Sequence, residues 1–193
     1  LLPDHGQVTV LGQRSASRAR RRIGYLPEER GLYRKMRVGQ FLAYMARLKG
    51  VPAHGLDARI RQWLARVGLD RVASRRCEEL SKGMQQKAQF LAAVIHRPDL
   101  LILDEPFSGL DPVSQRLFRD IVLEEHQRGV TVVFSTHVML QAEQLCDHVV
   151  MMHRGAKVLD EPMAAVLSRQ GARTVVVEPM DPAADTGPLA TVA

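Results

Sequence analysis

Long apolar runs are missing from this chain. Runs such as Leu100-Leu101-Ile102-Leu103 and Val149-Val150-Met151-Met152, like every other apolar run in the chain, fall far short of the roughly 18 residues a membrane-spanning helix needs, so no segment is expected to cross a bilayer. Cysteine is scarce as well. Cys77 and Cys146 show no C-x-x-C spacing and no metal-ligand pattern nearby. That excludes a disulfide framework or a zinc site and predicts free thiols in a reducing cytoplasm. Aromatic residues make up only 5%, and none falls within the arginine-rich stretch from Arg14 to Arg22 to stack on bases. No leader peptide opens the chain, which starts Leu1-Leu2-Pro3 without Met; a fragment of a longer polypeptide is the expectation. No internal repeat is evident.

What is present fits one domain with a substantial core and a small appendage: 193 residues, 46% hydrophobic and 25% charged. The formal net charge of +6 owes much to Arg14, Arg18 and Arg20-Arg21-Arg22. Such a patch is compatible with nucleic acid or an anionic membrane surface. The absence of interleaved aromatics favours the plainer reading, a solvated loop ahead of a strand.

Strands are expected at 7–11 and at Ile23-Gly24-Tyr25-Leu26. Three helices follow. The first carries Val38, Phe41, Leu42, Met45 and Leu48 and stops at Gly50 and Pro52. The second carries Ile60, Trp63, Leu64 and Val67 and closes at Gly68. The third carries Met84, Ala88, Leu91, Ala92 and Ile95 and ends before Pro98. An apolar strand, Leu100 to Leu103, then runs into Asp104-Glu105-Pro106. Asp111-Pro112 supplies an N-cap and first-turn proline for a helix ending at Gly129. A strand at 130–134, a short helix at 140–145 and a strand at 148–152 complete the alternation, and Thr174 to Val177 looks like a further strand. Apolar strands alternating with amphipathic helices predict an α/β fold, a parallel sheet covered on both faces.

Two acids at the end of an apolar strand lie on the carboxyl edge of such a sheet, where α/β proteins bind ligands. A salt bridge or a helix cap would be the structural alternative. In phosphate-binding ATPases a strand-end aspartate helps hold magnesium and a neighbouring acid positions the attacking water. Asp104 and Glu105, on opposite sides of an extended chain, suit those two tasks.

LLILDEPFSGLDP, with Leu80-Ser81-Lys82-Gly83-Met84-Gln85-Gln86 upstream and Ser135-Thr136-His137 downstream, resembles the nucleotide-binding subunit of an ABC transporter over roughly residues 1 to 165. GYLPEERGLY with LSKGMQQK is similar to the branch serving sodium, drug and other export-type permeases. The resemblance implies a P-loop NTPase-like parallel sheet covered by helices, with an inserted α-helical subdomain. The corresponding ranges are 1–36 for the core up to the Q-loop, 37–97 for the helical subdomain with the signature motif, and 98–165 for the core with Walker B, D-loop and switch histidine. Residues 166–193 would begin an accessory region.

The resemblance also assigns roles. Asp104 matches the Walker B aspartate and, with Glu28, would meet magnesium. Glu105 matches the catalytic glutamate and His137 the switch histidine, whose imidazole can donate to the γ-phosphate. Ser81, Lys82, Gly83 and Gln85 of the signature and Asp111 of the D-loop would meet ATP held by a second nucleotide-binding subunit, which implies a two-fold dimer. Ser81 before a helix also reads simply as an N-cap. Lys82 and Met84 depart from the family's commoner glycine and glutamine. Glu28 replaces the usual Q-loop glutamine and donates no hydrogen bond when ionised. ATP and Mg²⁺ are the implied ligands. The implied partners are permease subunits and the second nucleotide-binding subunit, on the inner face of the cell membrane, with no nucleic acid.

No G-x-x-x-x-G-K-[ST] occurs, since none of the 14 glycines precedes lysine. That loop cradles phosphates through backbone N–H groups and a lysine. Truncation before Leu1 is the expected explanation, and the 193 residues alone are expected to bind Mg-ATP very weakly. Two other readings stand beside the transporter. A translation-factor-like ATPase is one; chromosome-type members are excluded because the stretch between Glu28 and Ser81 has no room for long heptads. A nonhydrolytic partner in a heterodimer is the other.

Overall fold

The four branched residues before Asp104 form the middle of a sheet. In the computed structural model, which describes residues 5–14, 19–29 and 31–169, β2 (Leu100–Asp104) lies between β1 (Ile23–Leu26) and β3 (Thr131–Ser135). Both pairings are parallel. The register sets Leu26 beside Leu103 and Asp104 beside Ser135, so three strand ends open on one edge. The described residues fall into two units, one through Leu145 and one from Cys146 onward.

In the first unit, α1 (Val38–Leu48) and α2 (Leu56–Arg66) follow β1. Val38, Phe41, Leu42 and Ala46 of α1 and Leu56, Ile60 and Leu64 of α2 are buried, the one-sided stripe that helical spacing creates. The first N–H groups of α1 find partners outside the helix: Val38 donates to Arg75 O at 3.0 Å and Gly39 to Ala73 O at 3.0 Å. α3 (Lys82–Val94) is the central helix, with an unbroken buried run from Ala88 to Val94. It packs on β1 closely enough that a Cβ on Gly24 would sit 2.1 Å from Ala93 O and 2.8 Å from Leu101 Cδ1. Only glycine permits that approach. α4 (Pro112–Gln127) joins the same core through Phe118, whose ring stacks on Phe90 at 4.0 Å. α5 (Met139–Leu145) closes the unit.

Helices cover one face of this sheet, over Leu26, Leu101 and Leu103. On the other, register aligns Tyr25, Ile102 and Val133 in one row; Tyr25 is 54% exposed and Val133 53%. Cover on both faces was expected, and among the described residues no helix packs over this row.

The strand expected at 7–11 does not form. Leu11 (φ 51°) and Gly12 (φ 73°) reverse the chain, and Val10 and Gln13 exchange two 2.9 Å backbone hydrogen bonds across the turn. A similar reversal shapes the second unit. Arg154 (φ 49°) and Gly155 (φ 78°) return β4 (His148–His153) onto β5 (Ala156–Pro162) as an antiparallel hairpin followed by α6 (Met163–Arg169). The 148–152 strand therefore pairs with a neighbour that periodicity did not predict. The strand expected at 174–177 lies outside the described residues.

Candidate functional site

Asp104 ends β2 in regular strand geometry, and the chain turns at the next residue. Glu105 has φ 45°, a conformation that costs a non-glycine residue about 1–3 kcal/mol and clusters at functional positions. The two acids are thus separated by a turn in the backbone, not by the alternation of an extended strand. Two hydrogen bonds hold the turn: Glu105 N–H is shared between Ser135 O at 3.2 Å and Ser135 Oγ at 3.3 Å. The same Ser135 hydroxyl donates to Asp104 Oδ1.

The Glu105 carboxylate, 17% exposed, turns toward the loop after β3. Its Oε1 accepts from His137 N–H at 3.0 Å and lies 2.8 Å from His137 Nδ1. An ionised carboxylate there favours a proton on Nδ1 and leaves Nε2 facing outward on a ring that is 79% exposed. Thr136 stabilises the loop, accepting from Val138 N–H at 3.1 Å and donating to Gln141 Oε1 at 2.8 Å. Asp104, Glu105 and His137 are therefore one connected group.

The signature residues sit at the start of α3. Ser81 is its N-cap and accepts from Met84 N–H at 3.3 Å. That role is compatible with contacting a ligand, because the hydroxyl proton remains available as a donor. Lys82 opens the helix and is exposed. A Cβ on Gly83 would lie 3.9 Å from Gly109 O, so the helix start adjoins the loop that follows the acids. Gln85 donates to Cys77 O at 3.2 Å and Leu80 O at 3.1 Å, bracing the segment before Ser81. Asp111 caps α4, accepting from Ser114 N–H at 2.9 Å and Ser114 Oγ at 2.5 Å; the Ser114 hydroxyl and N–H hold its carboxyl below the usual range. Glu28 is exposed just beyond β1, on the edge shared with Asp104. Among the described residues no hydrogen bond joins Ser81 to Asp104, Glu105 or His137.

Two glutamines received no role from the sequence, although one of them, Gln86, belongs to the quoted motif. Gln86 and Gln89 are 4% and 5% exposed on α3. Gln86 donates to Pro106 O at 3.4 Å and Gln89 to Glu29 O at 3.1 Å, tying the helix to both edge loops. The available signal was an amide pair, i and i+3, on an otherwise apolar helix face. Ser135 was also missed as a positioning residue, though parallel pairing with Asp104 follows once β2 and β3 are placed.

Among the described residues no group of three His, Cys, Asp or Glu side chains is gathered for a metal. Asp104 nevertheless suits a hard cation, because its carboxylate keeps acceptor sites beyond the one Ser135 uses, and magnesium on a nucleotide needs only one or two protein carboxylates.

A family model described as "ABC transporter" matches residues 1–108. An uncharacterized ABC transporter ATP-binding protein of Alkalihalophilus pseudofirmus is 43% identical over 92% of this chain and 67% of its own length. The probable multidrug ABC transporter ATP-binding protein YbhF of Escherichia coli is 34% identical over 80% of this chain and 27% of its own length. A solved structure of the ATP-binding subunit of an ABC transporter superposes with TM-score 0.82 at 30% identity, covering 90% of this chain and 73% of that one. This chain spans between 50% and 67% of the length of several such relatives.

Proposed function

Because this chain belongs to the ABC transporter ATP-binding family, we propose that it serves as the ATP-hydrolysing subunit of an exporter, acting on Mg-ATP at the carboxyl edge of its sheet. The observation that carries this reading is the shared oxygen: Glu105 Oε1 receives both the N–H and the ring of His137. With that oxygen occupied, Oε2 is left to accept a proton from a water beside the γ-phosphate. His137 offers Nε2 to a phosphate oxygen. Asp104 and Glu28 would hold Mg²⁺, which supplies charge neutralisation on the phosphates. Ser81, Lys82, Gly83, Gln85 and Asp111 would face a nucleotide carried mainly by a second nucleotide-binding subunit.

The export direction rests on the GYLPEERGLY and LSKGMQQK wording and on the multidrug description of YbhF. A membrane permease would select the substrate, and the chain would work on the cytoplasmic face of the membrane, without nucleic acid. No helix among the described residues is long and apolar enough to cross a bilayer.

Replacing Glu105 with Gln in the full-length gene product keeps the shape of the site and removes the base. ATP binding is expected to persist while turnover falls at least about a hundredfold. Unchanged hydrolysis would overturn the role of Glu105; a wild-type protein that binds ATP without hydrolysing it would favour the inactive heterodimer partner.

A further inference from the structure

One face of α2 presents Ala58, Arg59, Gln62, Trp63 and Arg66 to an open cleft of about 380 Å³, lined on its other side by Arg97, Glu125 and Arg128. None of these residues belongs to the proposed ATP site. The cleft contains four guanidinium groups, yet only two meet a carboxylate among the described residues. Arg66 pairs with Glu124 at 2.5 Å and Arg128 pairs with the buried Glu125. Arg59 uses one of its donors on Ile95 O at 3.3 Å, and Arg128 also reaches Pro98 O at 3.2 Å. Arg97 makes no side-chain hydrogen bond or ion pair among the described residues and has φ 57°. After pairing, two positive charges remain. Arginine forks suit the oxygens of a phosphate, and Trp63, with Arg66 at 5.3 Å from its ring centre, adds an aromatic wall.

We propose that this cleft binds a compact phosphate monoester, its dianion between Arg59 and Arg97 and its organic group against Trp63. Two net positive charges match a dianion, and a cleft of this volume admits a small molecule. The ring supplies a reason to prefer an ester over free phosphate. The inference does not depend on ATP chemistry.

Trp63 is the chain's single tryptophan, so its indole N–H gives one reporter resonance in a ¹⁵N spectrum. Titration of the 193-residue chain with phenyl phosphate is expected to shift that resonance saturably. Inorganic phosphate should act in the same way but more weakly, and sodium chloride at equal ionic strength should not. Arg97→Ala should weaken phenyl phosphate binding about tenfold, the loss of a charge-assisted contact. Arg97→Gly removes the same side chain while suiting the positive φ, and it should weaken binding equally if the chain stays folded. Ser81→Ala should leave the titration unchanged. A shift that never saturates, that sodium chloride reproduces, or that survives both Arg97 variants would overturn the proposal.

Discussion

Asp104 and Ser135 are paired residues of neighbouring parallel strands, and the serine hydroxyl donates to the aspartate while accepting, with its own carbonyl, the N–H of Glu105. One residue on β3 thus holds both Asp104 and the turn at Glu105 in place. Replacing Ser135 with Ala leaves the strand intact and frees Asp104 Oδ1. ATP turnover of the full-length protein is expected to drop about tenfold through misplacement of the acids, with little change in unfolding midpoint. Wild-type turnover in Ser135→Ala would show that the bond is incidental.

Ser81 combines two roles that mutation can separate. Ser81→Ala should cost about 1 kcal/mol of stability through loss of the α3 cap, and ATPase activity should fall with it. Ser81→Asp restores a good cap but sets a carboxylate where phosphate is proposed to lie. Its melting temperature should recover while its ATPase does not. Recovery of both would remove Ser81 from the nucleotide site.

Gly24 is required by packing, not by its φ. Ala in its place meets the Ala93 carbonyl at 2.1 Å, and because that atom is backbone, relief requires moving α3 off β1. A loss of about 1–3 kcal/mol is expected, within the range for overpacked cores. Urea unfolding of Gly24→Ala reads it directly; a change under about 0.5 kcal/mol, the scale of ordinary surface substitutions, would mean that the helix is not seated so closely.

His96 lies near Lys49 with Nε2 3.2 Å from Ile23 O. Burial first, and the Lys49 charge second, push its pKa down to about 4. An unfolded chain, with the ordinary value near 6.5, binds a proton there that the folded chain refuses. The resulting stability is complete above about pH 6.5 and is lost as pH falls toward about 4, on the order of 2 kcal/mol in all. Chemical denaturation at pH 7, 6, 5 and 4 should show that slope flattened in His96→Gln. An identical pH profile for the two proteins would assign the acid sensitivity elsewhere.

Much of the first unit was legible because its signals are local. Asp111-Pro112 announces a helix start by its own chemistry, and the structure shows Asp111 capping α4. The burial of Val38, Phe41 and Leu42 in α1 follows from their helical spacing, whereas Leu48, expected on the same stripe, is exposed at the helix end and Ala46 takes a buried place that was not expected. The failures arose where backbone conformation overrides composition. Gln7 to Leu11 alternates like a strand, but positive φ at Leu11 and Gly12 sends it back on itself. β5 drew no strand assignment from the sequence, its apolar residues being interrupted by Lys157 and Asp160, which pair with each other at 2.6 Å. At the site, residue identities came from pattern, while the serine that unites Asp104 and Glu105 required the register of two strands distant in sequence.

The row of Tyr25, Ile102 and Val133 gives the chain an adhesive side. Apolar surface of this kind is released from water more favourably on warming than on cooling, and more so in sulfate or phosphate buffers than in chloride. Self-association of the 193-residue chain through this row is therefore expected to rise on warming and in sulfate, a dependence that light scattering reads separately from unfolding.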